Sequence, residues 1–514
     1  MRPIVLTILD GWGYSKEKVG NAIFNARKPN LDSIEKKYPS VLLQASGLAA
    51  GMTWGEAGNS EVGHLTLGAG RIIPQYLTRI NRDIQSGYFF ENPELIKAIS
   101  HAKSENSTLH ILGLLGSGSV HSYFNHIWAL LELLKKNNLS NFYLHFFTDG
   151  KDSSPRGSIS LLRKLDEYSP GSVSRVATII GRDFAMDRTG QWDMTQKAYD
   201  LWTQGAGEPA HDIYKILEDY HLRGINDSNI PPTVINPDGA IKDGDVLVFF
   251  NFREDSMRQI IKPFIDDYFN FFTRKAFERL FVAGFSPYTE STKLHCAYPA
   301  PQITNGLAEF LSIHGKTQFH IAETEKYAHV TYFFNGLRNK PFDGETDLLI
   351  KSLPESVGTP QMRSNEIISS VIDKLNKDHY DLFVINLANA DALAHLGNLE
   401  AVKAGVEAID NELGRLLETV LRKDGVLMIT ADHGNAERVV YKSSGDPETK
   451  HDQNPVPLYL VGREFEKDRS PVEIQVSRQE SVGILSDIAP TILELMDLPI
   501  PDEMTGDSLL RIIS

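Results

Sequence analysis

Short runs of β-branched, leucine and aromatic residues recur along the chain, and each breaks at once into polar residues. Ile4 to Leu9 ends in Asp10, Leu109 to Leu115 in Gly116-Ser117-Gly118-Ser119-Val120-His121, and Phe142 to Phe147 in Thr148-Asp149-Gly150-Lys151-Asp152. Val173 to Ile180 ends in Gly181-Arg182-Asp183 and Val246 to Phe250 in Asn251-Phe252-Arg253. Leu382 to Leu387 leads to Asp391, and Val426 to Thr430 leads to Asp432-His433. Continuous apolar runs between helical stretches predict parallel strands buried on both faces, hence an α/β fold. In open α/β sheets ligands collect outside the carboxyl ends of strands, which is where these polar clusters fall.

The clusters are of two kinds. Near the N-terminus and from Asp391 onward they hold carboxylates and histidines; between about Leu109 and Arg258 they hold mainly Lys, Arg and His. The first kind suits metal ions and the second a phosphorylated substrate. That division predicts two domains, one inserted in the other: 1–73 with 302–514, and 77–297. The crossings are placed at Gly70-Arg71-Ile72-Ile73-Pro74 and Ala297-Tyr298-Pro299-Ala300-Pro301, where proline sits among small or extended residues.

At 514 residues the chain has room for two substantial cores. Its net charge of −15 disfavours a nucleic-acid backbone as main partner. Cys296 is the single cysteine, so no disulfide can form within the chain, which fits a reducing, cytoplasmic setting. The apolar run at the N-terminus is broken by Asp10, Gly11 and Gly13 and reads as a strand, not a leader. No stretch approaches the roughly 20 apolar residues of a membrane span. A monomer is expected.

Asp391 and His395 stand four apart, on one face if the segment is helical. Asp432-His433 follows a strand, and His451 precedes Asn454-Pro455. With Asp10 and Ser60 these make seven donors, enough for two ions. Carboxylates mixed with imidazoles suit Mn²⁺ or Zn²⁺ more than Ca²⁺ or Mg²⁺. Ser60, in Gly58-Asn59-Ser60-Glu61-Val62-Gly63-His64, stands where a helix N-cap is expected. A hydroxyl there, beside unpaired backbone N–H groups and two metals, suits phosphoryl transfer.

Gly58-Asn59-Ser60-Glu61-Val62-Gly63-His64, Ala322-Glu323-Thr324-Glu325-Lys326-Tyr327-Ala328-His329-Val330-Thr331 and Thr430-Ala431-Asp432-His433-Gly434-Asn435-Ala436-Glu437 resemble the signatures of the cofactor-independent phosphoglycerate mutases of the alkaline phosphatase superfamily. The likeness runs from Asp10-Gly11-Trp12-Gly13 to Glu503-Met504-Thr505-Gly506. It implies an alkaline phosphatase-like, mostly parallel sheet domain with a second α/β domain inserted, which can act as a lid. It implies an isomerase interconverting 3-phosphoglycerate and 2-phosphoglycerate without bisphosphoglycerate, with Ser60 as nucleophile. Asp391, His395 and His451 would hold one manganese, and Asp10, Ser60, Asp432 and His433 the other; Zn²⁺, Co²⁺ and Mg²⁺ are the alternatives. Asp152 would serve as general acid/base and Lys326 would stabilise the transferring group. His121, Lys151, Asp152, Arg182, Arg188, Arg253 and Lys326 would bind substrate, Arg suiting bidentate contact with carboxylate or phosphate.

The chain departs from the family pattern at several points. Asp149-Gly150-Lys151-Asp152 stands for Asp-Gly-Arg-Asp, and Asn251-Phe252-Arg253-Glu254-Asp255-Ser256 for Asn-Phe-Arg-x-Asp-Arg. Gly116-Ser117-Gly118-Ser119-Val120-His121-Ser122-Tyr123 replaces Ser-Asp-Gly-Gly-Val-His-Ser-His, and Leu353-Pro354-Glu355-Ser356-Val357 replaces Ser-Pro-Lys-Val. Arg258, two residues beyond Ser256, could reach the same phosphate if its segment is helical. Losing a charge-assisted hydrogen bond costs about 1.5–3 kcal/mol, so weaker substrate binding is expected. A related phosphomutase or phosphohydrolase for another ester is the alternative, and a non-catalytic relative is disfavoured by the intact donor set.

Overall fold

The computed structural model describes residues 2–353 and 359–513, so residues 354–357 of the departing stretch Leu353–Val357 lie outside the described residues. The chain divides into two compact units, residues 1–75 with 301–514 and residues 76–300.

The first unit is built on an eight-stranded sheet. Its order is Glu345–Ile350, Gln318–Glu323, Leu382–Leu387, Ile4–Leu9, Val426–Thr430, Val456–Val461, Ser40–Gln44 and Ser481–Ile484. The first five are mutually parallel, and Val456–Val461 runs antiparallel to both neighbours. Ile4–Leu9, Leu382–Leu387 and Val426–Thr430 are buried at every position, as continuous apolar runs require when helices cover both faces. The long helix Leu399–Arg422 shows how such a cover is encoded. Val402, Val406, Ile409, Leu413, Leu416 and Val420 recur at helical spacing and are fully buried, while Asn398 caps its start by accepting from the Ala401 N–H. In register, Leu9 lies beside Leu387 and Ile8 beside Thr430. Three neighbouring strands therefore end together and deliver Asp10, Asn389–Ala394 and Asp432 to one edge.

The second unit has its own eight-stranded sheet, ordered Leu294–Cys296, Phe281–Gly284, Val246–Phe249, Leu109–Leu115, Phe142–Thr148, Val176–Gly181, Thr233–Val234 and Glu208–Pro209. All neighbours are parallel except Val176–Gly181 with Thr233–Val234. Two of the expected runs are trimmed. Val173–Arg175 form a single 3₁₀ turn, so that strand starts at Val176. Phe250 falls outside its strand because the ladder passes to a side chain: Asn251 Oδ1 accepts from the Leu114 N–H at 2.9 Å. Among the described residues no helix is long and apolar enough to cross a membrane.

Candidate active site

In the first unit, Ser60 opens the helix Ser60–Ala69 but does not cap it. The cap is Asn59, whose Oδ1 accepts from the Val62 N–H at 3.0 Å, and Ser60 is the first helical residue. This corrects the reading of Ser60 as N-cap and leaves its hydroxyl free. Ser60 Oγ lies 3.1 Å from Asp10 Oδ1 and 3.0 Å from His433 Nε2, and accepts from Lys326 Nζ at 2.7 Å. Two glycines make the approach feasible. A Cβ on Gly63 would stand 2.6 Å from the Asp432 carbonyl oxygen, and one on Gly58 would stand 2.2 Å from that of Ala45.

Lys326 Nζ also donates to Asp10 Oδ1 and Asp391 Oδ2, both at 2.7 Å. Burial opposes its charge, but Asp10, Asp391 and Asp432 outweigh burial and raise its pKa above the ordinary lysine value. Burial likewise works against the Asp432 charge, and His433 and His64 hold it below the usual carboxylate range. The buried Asp432 Oδ2 makes no well-aligned hydrogen bond among the described residues; its nearest donor, His64 Nδ1 at 3.2 Å, is directed to the Ser60 carbonyl. A carboxylate oxygen so weakly paired in a dry site is stabilised by a cation.

Asp391 and His395 do share a helical face, the His395 N–H donating to the Asp391 carbonyl at 3.1 Å. His395 Nε2, His451 Nε2 and Asp391 Oδ1 form a triangle with sides of 3.1, 3.3 and 3.4 Å. Each imidazole spends its Nδ1–H on a backbone carbonyl, Thr449 for His395 and Gly58 for His451, both at 2.9 Å. In the neutral rings both Nε2 atoms then present lone pairs to each other and to a carboxylate. Such a set repels unless a cation sits among it. Zn–N bonds of about 2.0–2.1 Å would put neighbouring donors of a tetrahedral ion about 3.3 Å apart. With no ion, a proton must serve, and Asp391 raises the His395 pKa accordingly. The donor set fits a divalent ion on geometry and chemistry together.

Around these groups lie side chains that the sequence reading did not assign. Asn386 Nδ2 donates to Asp10 Oδ2 at 2.7 Å and to His64 Nε2 at 3.0 Å. His64 Nδ1 then donates to the Ser60 carbonyl at 2.9 Å and stands 3.2 Å from Asp432 Oδ2. Asn435 Nδ2 donates to Asp391 Oδ1 at 2.8 Å. The buried Glu437 carboxylate accepts from the Gly13 and Asn435 N–H groups and from Asn454 Nδ2, joining three loops; burial pushes its pKa up to about 7. His64, Asn435 and Glu437 belong to the signature stretches, and that was their only signal.

The remaining candidates lie in the second unit, at the carboxyl ends of its strands. Arg182 bridges Asp149 and Asp152, reaching Asp152 Oδ2 at 2.8 Å. His121 Nε2 is 3.7 Å from Asp152 Oδ2, and its Nδ1 is 3.0 Å from Ser256 Oγ. Burial, with Arg182 and Arg253 adding to it, pulls the His121 pKa down to about 4. Asp255 gathers two of the arginines, Arg188 and Arg253, the latter at 3.1 Å. Lys151 pairs with Asp183, which also accepts from Asn229 at 2.7 Å. Arg258 does begin a helix, Arg258–Ile265, but it pairs with Glu254 at 3.5 Å and its side chain is mostly exposed. It does not take the place of an arginine at position 256, where Ser256 is buried against His121 instead.

A hydroxyl, a buried ammonium and two nests of carboxylate and imidazole at the strand ends of a mostly parallel sheet define a metal-dependent enzyme of the metalloenzyme superfamily, whose family model matches residues 2–500. A 2,3-bisphosphoglycerate-independent phosphoglycerate mutase 2 of Methanosarcina barkeri is 42% identical over 530 residues, covering 99% of this chain and 98% of the relative. The mutase of Clostridioides difficile is 42% identical over 521 residues, covering 99% of both. A Leishmania mexicana phosphoglycerate mutase, solved at low cobalt concentration, superposes with a TM-score of 0.69 at 27% identity, covering 98% of this chain and 97% of that one. The chain belongs to the 2,3-bisphosphoglycerate-independent phosphoglycerate mutases.

Proposed function

We propose that this isomerase interconverts 3-phosphoglycerate and 2-phosphoglycerate, with Ser60 accepting the phosphoryl group and returning it to the other hydroxyl of the same glycerate. The observation that carries the reading is the Ser60 hydroxyl, freed from capping and set 2.7 Å from the Lys326 ammonium among Asp10, His433 and Asp391. Asp391, His395 and His451 would hold one divalent ion, and Asp10, Asp432 and His433 with Ser60 a second. The donor mix favours Mn²⁺. Bound ions supply positive charge for the nucleophile and the transferring group.

The chain's own residues do the rest. Lys326 donates to Ser60 Oγ, which favours the deprotonated hydroxyl and later the phosphate ester's charge. Asn386 fixes Asp10, Asn435 fixes Asp391, and His64 faces Asp432, so each carboxylate keeps one orientation. In the second unit, Arg182 orients Asp152 for proton exchange with the glycerate hydroxyls. Arg188, Arg253 and Lys151 supply the cations for the carboxylate and phosphate of the substrate, each already held by an aspartate. Water must be kept from the phosphoserine, or it hydrolyses.

The test is 2-phosphoglycerate formation from 3-phosphoglycerate with Mn²⁺ and without bisphosphoglycerate, while free phosphate is followed. Conversion without phosphate release is expected. Stoichiometric phosphate would make the protein a hydrolase, and no conversion by ion-loaded protein would refute the substrate assignment.

A further inference from the structure

Ser256 is 2% exposed, and its hydroxyl has two neighbours: His121 Nδ1 at 3.0 Å and the Arg253 carbonyl at 3.3 Å. Its own N–H is held by Asp255 Oδ1 at 2.7 Å, which fixes the loop that carries it. That loop is pinned to the His121 loop a second time, the Phe252 N–H donating to the His121 carbonyl at 2.8 Å. Across the imidazole, Nε2 faces Asp152 Oδ2 at 3.7 Å, and Arg182 keeps Asp152 in place. The charged groups facing the ring are Arg182, Asp152, Arg253 and Asp255.

A neutral imidazole carries one proton, so its two sides must choose opposite roles. If Nδ1 held the proton, the Nε2 lone pair would face the Asp152 carboxylate. If Nε2 holds it, the ring donates toward Asp152 and Nδ1 accepts from a hydroxyl. The Arg253 carbonyl can only accept, so it competes with Nδ1 for the single Ser256 proton; the Nδ1 contact is the shorter of the two, and only the second arrangement also turns an N–H toward Asp152.

We propose that Ser256 is a positioning residue that sets the His121 tautomer, donating its hydroxyl proton to Nδ1 so that Nε2–H points to the Asp152 side, where it can donate to an oxygen of the phosphorylated acid. The role of that N–H toward substrate rests on the mutase reading; the tautomer does not. A guanidinium at 256 would also donate to Nδ1 but would bring a third positive charge beside Arg253 and Arg182; the hydroxyl sets the tautomer without that charge. At this position the departure from the family pattern is a different solution for holding His121, not a simple loss.

The test is ¹⁵N long-range spectroscopy of the full, Mn²⁺-free chain, with the His121 signals assigned by their loss in His121→Gln. The native protein is expected to show Nε2–H at neutral pH; Nδ1–H there would overturn the proposal before any variant is made. Ser256→Ala should shift the ring toward Nδ1–H or a mixture, and Ser256→Thr should restore Nε2–H. In Mn²⁺-loaded enzyme, Ser256→Ala should lower kcat/KM about 3- to 10-fold, the effect of one neutral hydrogen bond, with recovery in Ser256→Thr. An unchanged tautomer in Ser256→Ala refutes the assignment. A shifted tautomer in a protein that turns over no phosphoglycerate supports the positioning and refutes the mutase reading instead.

Discussion

Lys326→Met removes the ammonium while keeping most of the apolar stem. Nζ touches Asp10 and Asp391 at 2.7 Å, and only 9% of the side chain is exposed. Taking one partner from a buried ion pair leaves uncompensated charge, at a cost of about 3–5 kcal/mol. Two carboxylates lose their counter-charge here, with Asp432 close by, so the metal-free variant belongs at the upper end of that range. Divalent ions change the sum if, as proposed, they bind the same carboxylates and replace the lost charge. The ammonium also competes with them: two unit charges 4 Å apart interact by about 4 kcal/mol at an effective dielectric of 20. Recovering even a third of that would tighten ion binding about tenfold. The expected result is a large loss of stability in chelator, a much smaller one in saturating Mn²⁺, and a lower Kd for Mn²⁺ by calorimetry, although turnover is lost. Urea unfolding in chelator and in Mn²⁺ measures the first two. An equal loss under both conditions, or an unchanged Mn²⁺ affinity, would refute the view that lysine and ions share one carboxylate nest.

Three further outcomes are expected. Ser60→Ala should cut mutase turnover by about 10³-fold or more while ion content by mass spectrometry stays near native, since Asp391, His395 and His451 are untouched; appreciable residual turnover would exclude a phosphoserine route. Gly63→Ala should cost about 1–3 kcal/mol by overpacking, because its Cβ would stand 2.6 Å from the Asp432 carbonyl, and urea midpoints check it. Asp347, beside Glu345 and His320, is raised to about 7, first by burial and then by Glu345. Its raised pKa means the folded state keeps a proton that the unfolded state releases near pH 4, so stability is lost as pH climbs toward 7. Discounted for partial exposure, the full effect is about 1–2 kcal/mol. Asp347→Asn should therefore raise the urea midpoint at pH 8 and leave it nearly unchanged at pH 4, and a gain independent of pH would contradict the assignment.

The parallel strands were legible because burial on both faces leaves an unbroken apolar run, and the carboxyl-end rule then pointed to Asp10, Asp391 and Asp432. Ser60 was found by its sequence context, but its cap was misplaced by one residue: Asn and Ser are equally good caps, and only the extended backbone of Asn59 decides between them. Asn386 could not be seen at all. It sits inside an apolar strand, and its value comes from Asp10 and His64 arriving beside it from far away in the chain. The aspartates that hold the substrate-side cations, Asp149, Asp183 and Asp255, carried no periodicity either. Ser256 looked like a missing arginine until its hydroxyl was seen against His121.

The strand Ile4–Leu9 lies between Leu382–Leu387 and Val426–Thr430 in the finished sheet. During synthesis it emerges long before either partner. At about 5–20 residues per second it waits on the order of 20–80 s for them. Every strand of the other sheet lies between Leu109 and Cys296, so that sheet can be complete while the N-terminal strand still has two open edges. An apolar strand with open edges is a template for pairing with other chains. The nascent chain is therefore most exposed to misassembly at this early strand, and the proposed ion-binding donors assemble only once the stretch from Asp391 to His451 has left the ribosome.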